Sequence, residues 1–323
     1  MQGIALSMKT TVLVIDPDAE YFRDKLLADF PGIRVLTAHG LRDVGDKAAE
    51  ADVLGAMGSK MIFQEELLEK AGKLKWIQAF TTGTDKITPL KSFRKETVLT
   101  TTRGMHGAQM AEMALMQMLA LARDLPRMLR NQADARWDRF LQRRLYGKTV
   151  VILGVGISGE GLASRCKAMG MRVIGVTGTP RQSPNFDRMV KRTELETAVK
   201  DADFLAIVVP YEKETHKIVN ARIFAAMKPT AYLVNIARGG VLDEQDLLVA
   251  LREKKIAGAA LDVFDVEPLP PDNPLWREPN VIITPHHAGQ SDVYNEQVYD
   301  IFAPNLRCYL ENRYTEMRNL IEH

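Results

Sequence analysis

Short apolar runs separated by helix-like stretches organise the first third of the chain. TVLVID (11–16), GIRVLTA (32–38), ADVLGAM (51–57), LKWIQAF (74–80) and VLTT (98–101) are continuous rather than alternating. Runs of that kind suit strands covered on both faces, so they predict a parallel sheet flanked by helices. Residues 105–123, MHGAQMAEMALMQMLALAR, then form one apolar segment with no proline and no glycine beyond its first turn. Apolar positions fall nearly all round a helix drawn on it, which predicts a buried helix at a crossing between domains. Its methionines read as gap-filling packing at a domain or subunit boundary rather than as a cofactor box.

A second series of runs begins at KTVVILGVG (148–156) and continues with MRVIGVTG (171–178), DFLAIVVP (203–210), AYLVNIA (231–237), IAGAALDVF (256–264) and NVIITP (280–285). Six strands with intervening helices are what a doubly wound dinucleotide fold requires. One of those helices, DEQDLLVALREKK (243–255), carries acids in its first turn and bases in its last, matching the helix dipole. The pattern turns helical again after residue 291. The expectation is therefore an α/β chain of two domains. A Rossmann-type doubly wound parallel sheet spans 103–291, and a smaller flavodoxin-like α/β substrate domain is built from 1–102 and 292–323.

Bulk properties narrow the partners. A length of 323 residues exceeds what one hydrophobic core usually serves, which agrees with two domains. With 46% hydrophobic and 26% charged residues and a formal net charge of +2, no acidic tail or basic block points to nucleic acid. Cys166 and Cys308 are too few and too far apart for a disulfide framework or a metal cluster, and read as ordinary buried thiols in a reducing compartment. No apolar run spans a bilayer, and MQGIALSMKT lacks the charged leader and apolar core of a signal peptide. A cytoplasmic protein with a small, anionic ligand is expected.

VVILGVGISGEG places Gly154, Gly156 and Gly159 in G-x-G-x-x-G directly between a strand and a helix. In that context Gly154 allows the tight turn, Gly156 lets backbone approach a pyrophosphate, and Gly159 lets helix and strand pack closely. Amides near Ile157 and Ser158 would meet the phosphates at the positive helix end. About twenty residues on, an NAD-specific site normally places a carboxylate against the ribose hydroxyls. Here the stretch is VTGTPR (176–181), and the next acid is Asp187. Thr177, Gly178, Thr179 and Arg181 could accept a 2′-phosphate that a carboxylate would repel, so NADP(H) is favoured and NAD(H) is the alternative.

Three polar groups stand at strand ends in the same domain: Arg238 after AYLVNIA, Glu267 after LDVFDV and His286 after NVIIT. In open α/β sheets ligands bind beyond those ends. Hydride delivery to a keto carbon leaves negative charge on its oxygen, which an acid must neutralise. A histidine beside a carboxylate favours the imidazolium and suits that task, while a guanidinium fork can grip a substrate carboxylate.

GVGISG, NIARGGVLDEQDLLVAL, ALDVFDVEPLP and NVIITPHHAG together resemble the signature blocks of the D-isomer-specific 2-hydroxyacid dehydrogenases. The match runs in order over 148–291 and extends more loosely to TTGTDKI (81–87), MAE (110–112) and both terminal segments. The resemblance implies that His286 is the acid/base residue, Glu267 its carboxylate partner and Arg238 the substrate-binding arginine. It further implies that Asp262 holds the nicotinamide carboxamide, that Pro210, Ile236, Ala237 and Met110 belong to the cofactor pocket, and that amides at Thr82 and Gly83 grip the substrate carboxylate. His287 departs from the family, which has an aliphatic or small residue there. An extended segment points successive side chains to opposite sides, so His287 is expected either to hydrogen-bond or to support the site from behind, where it could influence His286. His106 resembles a position near the cleft mouth.

Glu267 argues against the formate dehydrogenase branch, in which a glutamine stands there. Phosphoglycerate dehydrogenases often carry an extra regulatory domain, which leaves that branch as an alternative. The neutral VTGTPR loop is similar to that of NADPH-using glyoxylate and hydroxypyruvate reductases. The expected activity is reduction of a small 2-keto acid to a D-2-hydroxy acid. A different class, the dinucleotide-sensing corepressors of the family, would bind cofactor without turnover. A homodimer is expected from the Met-rich helix together with the resemblance, and closure about crossings near residues 102 and 291 would exclude water from the reaction.

Overall fold

The computed structural model describes residues 10–322. The expectation for MQGIALSMKT therefore lies, apart from Thr10, outside the described residues. The chain divides into two units, one running to Met105 and resuming at Ser291, the other formed by His106–Gln290.

In the first unit the elements run β1 (Thr11–Ile15), α1 (Ala19–Asp29), β2 (Arg34–Ala38), α2 (Lys47–Glu50), β3 (Val53–Ala56), α3 (Glu65–Lys70), β4 (Trp76–Ala79) and β5 (Val98–Thr100). The sheet order is β2-β1-β3-β4-β5, all parallel, which is the flavodoxin-like order. Every residue of β1, β3 and β4 is buried, as continuous apolar runs require. Leu13, Ile15, Leu54 and Ile77 pack on one face, and Val12, Val14, Phe22, Trp76 and Phe80 on the other.

The second unit contains α4 (Gly107–Ala122), α5 (Leu125–Ala133), β6 (Thr149–Leu153), α6 (Ile157–Ala168), β7 (Arg172–Thr177), β8 (Arg188–Lys191), α7 (Leu195–Ala198), β9 (Phe204–Ile207), α8 (Ala221–Ala226), β10 (Tyr232–Asn235), α9 (Glu244–Arg252), β11 (Gly258–Leu261) and β12 (Val281–Ile283). Its seven parallel strands are ordered β12-β11-β10-β9-β6-β7-β8, so the winding reverses between β6 and β9. Ligands of such sheets bind at that reversal. The closing helix α10 (Tyr294–Leu310) returns to the first unit, where Phe302 packs on Trp76 and Phe80 and the Asn305 amide donates to Gln78 at 2.9 Å.

Two features depart from the sequence expectation. The second sheet has seven strands rather than six, because RMVK at 188–191 forms edge strand β8 beside β7. With two bases in four residues it carries no apolar run, and an edge strand needs none. Each expected strand is also longer in sequence than in the ladder. Gly154–Gly156, Val208–Pro210, Ile236–Ala237, Asp262–Phe264 and Thr284–Pro285 all leave the sheet at its carboxyl edge, where they build the site. Cys166 is buried, and burial pushes its thiol up to about 12. Cys308 is only partly buried, so the reading of two buried thiols holds for Cys166 alone. Among the described residues no helix is long and apolar enough to cross a membrane.

Candidate active site

The glycine loop is shaped by what its residues lack. Gly154 has φ +109°, and a Cβ on it would sit 2.8 Å from the Val209 amide nitrogen at the end of β9. A Cβ on Gly159 would lie 2.0 Å from the Gly154 carbonyl oxygen, so only glycine lets α6 start this close to β6. Gly156, which precedes the helix, has nothing within 4 Å of its Cβ direction and leaves its backbone open. The amides of Ile157 and Ser158 have no carbonyl partner within the helix and stand at its positive end. This bare cradle fits the pyrophosphate of a dinucleotide.

The residues expected around the coenzyme ribose lie at the carboxyl end of β7. Thr177 is half-buried there, and Gly178 and Thr179 are exposed. Arg181 is tied to the glycine loop and α6. Its guanidinium bonds Glu160 in the first turn of α6 at 2.5 Å and the Val155 carbonyl at 3.2 Å. Glu160 also accepts from Ser183 at 2.9 Å and Asn185 at 2.8 Å. Burial opposes its ionisation, but these hydrogen bonds together hold the carboxyl below the usual range. Asp187, the next acid, bonds the Val173 amide and Lys167, at the amino end of β7.

Arg238, Glu267 and His286 arrive from β10, β11 and β12. Gly239 allows the first of these approaches, since a Cβ there would sit 2.0 Å from the Phe264 carbonyl carbon. The β10 turn thus lies directly on the segment between β11 and Glu267, and the positive charge of Arg238 acts on that carboxylate. Arg238 also donates to the Ala237 carbonyl at 2.8 Å. Glu267 Oε2 is 2.8 Å from His286 Nδ1, and its Oε1 accepts from the Phe264 amide at 2.9 Å. Burial works against the ionised carboxyl, but the bonds from His286 and Phe264 and the charges of His286 and Arg238 lower it below its ordinary value. An ionised carboxylate only accepts, so Nδ1 carries the hydrogen and Nε2 is the nitrogen available to a substrate. The His286 side chain is 44% exposed, so a ligand can reach it.

The turn that presents His286 is held by Asp262, which is fully buried. Its Oδ1 accepts from the Thr284 hydroxyl at 2.5 Å and the His287 amide at 3.0 Å, and its Oδ2 from the Ala288 amide at 2.9 Å. The backbone of His286 itself has φ +54° and donates to the Asp262 carbonyl at 2.8 Å. TPHHAG is therefore a tight turn, and the alternation expected of an extended segment does not apply. His287 contributes its amide to the turn while its side chain is exposed, which corrects the expected side-chain hydrogen bonding. Elsewhere at the edge, Ile236 and Ala237 are buried, Pro210 is exposed with its carbonyl bonded to Thr215, and Met110 packs from α4 on the core beneath. His106, preceding α4, is packed against Gly289. Burial first, and the Arg238 charge second, push its imidazole down to about 4, so it is neutral at pH 7. In the first unit, Thr82 is exposed and Gly83 half-buried after β4.

Residues 115–288 match the family described as D-isomer specific 2-hydroxyacid dehydrogenase, NAD binding domain. The chain belongs to this family. The dehydrogenase is 33% identical over 308 residues to a D-3-phosphoglycerate dehydrogenase of Methanocaldococcus jannaschii, covering 94% of this chain but 58% of that relative. It is 34% identical over 273 residues to a glyoxylate reductase of Pyrococcus furiosus, covering 82% of this chain and 81% of the relative. Among solved structures, a D-isomer specific 2-hydroxyacid dehydrogenase family protein from Aeromonas salmonicida subsp. salmonicida matches with a TM-score of 0.88 at 34% identity, over 97% of this chain and 99% of that one.

Several residues that position the dehydrogenase's polar groups escaped the sequence reading. Asn235, fully buried at the end of β10, accepts from the Ala237 amide at 3.1 Å and donates to the Arg238 carbonyl at 3.2 Å. Glu244 reaches from the first turn of α9 to the Asp265 amide at 2.6 Å and fixes the loop before Glu267. Gln117, buried in α4, donates to Thr284 at 3.1 Å and extends the Asp262 network. The available signal was a polar residue breaking an apolar run, as in LVN and ALMQML, because buried polar groups are kept where they have partners.

Proposed function

We propose that the dehydrogenase reduces small 2-keto acids to D-2-hydroxy acids, with glyoxylate or hydroxypyruvate as the substrate type and NADPH preferred over NADH. The observation that carries this reading is the His286–Glu267 contact at 2.8 Å beside Arg238. When bound, the reduced nicotinamide supplies the hydride. His286 delivers a proton from Nε2 to the keto oxygen, Glu267 stabilises the charged ring that gives it, and Arg238 holds the substrate carboxylate. Asp262, Thr284 and Asn235 keep these groups in place, and the resemblance adds the nicotinamide carboxamide as a ligand of Asp262.

The coenzyme preference is supported by the carboxyl end of β7, where Thr177, Gly178 and Thr179 offer no carboxylate and Asp187 is tied down at the opposite end. Exposed apolar side chains on and after α5, namely Leu129 at 55%, Trp137 at 93% and Leu141 at 102%, support a homodimer in which a second copy covers them. The two free cysteines support a reducing cytoplasm. The match to the phosphoglycerate dehydrogenase over 94% of this chain favours, as a second reading, oxidation of a phosphorylated hydroxy acid.

Loss of NADPH absorbance is to be followed with glyoxylate, hydroxypyruvate and pyruvate, and in reverse with 3-phosphoglycerate, each with both coenzymes. The proposal expects the highest kcat/KM with glyoxylate or hydroxypyruvate and NADPH, on a protein whose scattering mass is twice 36.2 kDa. Turnover restricted to 3-phosphoglycerate would replace it with the second reading. Tight coenzyme binding without turnover of any acid would leave a sensor-type protein instead.

A further inference from the structure

At the carboxyl end of β7 stands an uncommitted guanidinium, and it is not the one that the sequence pattern singles out. Thr177 pairs with Lys191 of the edge strand β8 in parallel register, so the next residues on the two strands, Gly178 and Arg192, come side by side. A Cβ placed on Gly178 would have the Arg192 Nη2 as its nearest atom, at 3.9 Å. Arg192 Nε is buried with no hydrogen-bond partner among the described residues, in contrast to Arg181, whose guanidinium is occupied by Glu160 and Val155. A desolvated donor with nothing to donate to is costly and is kept where a ligand completes it.

The surroundings suit a phosphate bearing two negative charges. Gly178, Lys191, Arg192 and Arg222 line one pocket of about 440 Å³, together with Ile218 and the acids Glu196 and Glu214. Glu196 is paired with Arg222 at 3.3 Å, which leaves Lys191 and Arg192 as the cations of this pocket without an acid partner among the described residues. In a doubly wound fold the adenosine ribose sits at the end of the second strand of the nucleotide-binding half, which is β7 here, and a nearby arginine accommodates a 2′-phosphate. The absence of a side chain at Gly178 leaves open the path between that ribose and the guanidinium.

We infer that Arg192 is the residue that recognises the adenosine 2′-phosphate, and that it, rather than Arg181, sets the preference between NADPH and NADH. The inference rests on the NADPH reading proposed above. It assigns Arg181 to holding Glu160 and the loop 181–185 against α6, a positioning role.

The test is calorimetric binding of adenosine 2′,5′-bisphosphate and adenosine 5′-monophosphate to the full chain, without substrate or turnover. Wild type is expected to bind the bisphosphate more tightly. Arg192→Met, which keeps an unbranched stem of similar length, is expected to weaken the bisphosphate by about 10- to 100-fold and the monophosphate by less than about 3-fold. Arg192→Lys keeps the charge without the planar fork and should fall between the two. Arg181→Met should cost the bisphosphate less than Arg192→Met does. Equal loss of both ligands in Arg192→Met, no loss in either Arg192 variant, or a selective loss appearing in Arg181→Met instead, would overturn the assignment alone. Wild type binding both nucleotides equally would overturn the NADPH reading itself, a result visible before any variant is made.

Discussion

At the β6–β7 end of the carboxyl edge, Gly154, Gly156 and Gly159 leave backbone bare, and a Cβ at the first or last of these would strike main-chain atoms. At the β10–β12 end, side chains do the corresponding work. Asp262 is buried under Thr284, His287 and Ala288, and from that anchor His286 reaches Glu267. On the function proposed above, the difference follows from the ligands each end would meet. A pyrophosphate has the same charge throughout the reaction and can be held by fixed amides at a helix end. The oxygen of a keto acid changes charge as it reacts, so the group facing it must gain and lose a proton, and only a titratable side chain can do so.

That contrast can be broken by exchanging the effects of one substitution at each end. His286→Gln should lower kcat by about 10²- to 10⁴-fold while leaving the coenzyme dissociation constant within about 3-fold. Steady-state rates and a coenzyme fluorescence titration on the same protein would check it. Retained turnover would remove His286 from the chemistry. Gly159→Ala should do the opposite. With its Cβ 2.0 Å from the Gly154 oxygen, α6 must shift, weakening coenzyme binding on the order of 10- to 100-fold and stability by about 1–3 kcal/mol. A variant that binds coenzyme as tightly as wild type would show that the cradle is not shaped by this contact.

The smallest expected effect sharpens the comparison through pH. His106 has a native pKa of about 4 against 6.5 for the unfolded chain, so between those values the unfolded state binds more protons and stability rises with pH. Lowering the pH from 7 to 5 should therefore cost about 2 kcal/mol through this residue, and His106→Gln should flatten that part of the profile. Urea unfolding at the two pH values measures it. Glu267 contributes in a lower window. Its native pKa is depressed, so its share is fully present above its unfolded value of 4.5 and is lost as pH falls below that. An unchanged slope in the His106 variant would mean that the packed ring beside Gly289 does not control the acid limb.

The legible part of the site was legible because its chemistry is local. The glycine spacing between strand and helix needs no partner elsewhere in the chain to be recognised, and Arg238, Glu267 and His286 each follow an apolar run that ends in a strand. Strand β8 was not legible, since RMVK alternates weakly and is stabilised by pairing with β7 rather than by burial of both faces. His287 was misread for a similar reason. The extended geometry assumed for it is replaced by a turn whose left-handed residue is His286, and that turn exists because Asp262, some 25 residues away in sequence, supplies two acceptor oxygens.

The arginines show the same limit at the coenzyme end. VTGTPR advertises Arg181 because it lies in the loop where a phosphate ligand is expected, yet Glu160 in α6 takes its guanidinium. Arg192, fourteen residues beyond Gly178, comes beside that glycine only through the register of β7 with β8.

By itself the amino-acid sequence determined which strands are buried on both faces, where backbone must lie bare, and which acid, base and cation end up at strand ends, because apolar periodicity and glycine placement act over a few residues. The tertiary structure decided which of two arginines is free, which histidine faces a carboxylate and which is pressed into neutrality. Those outcomes depend on hydrogen bonds and desolvation between segments that meet only when the sheet is assembled, and no local pattern encodes them.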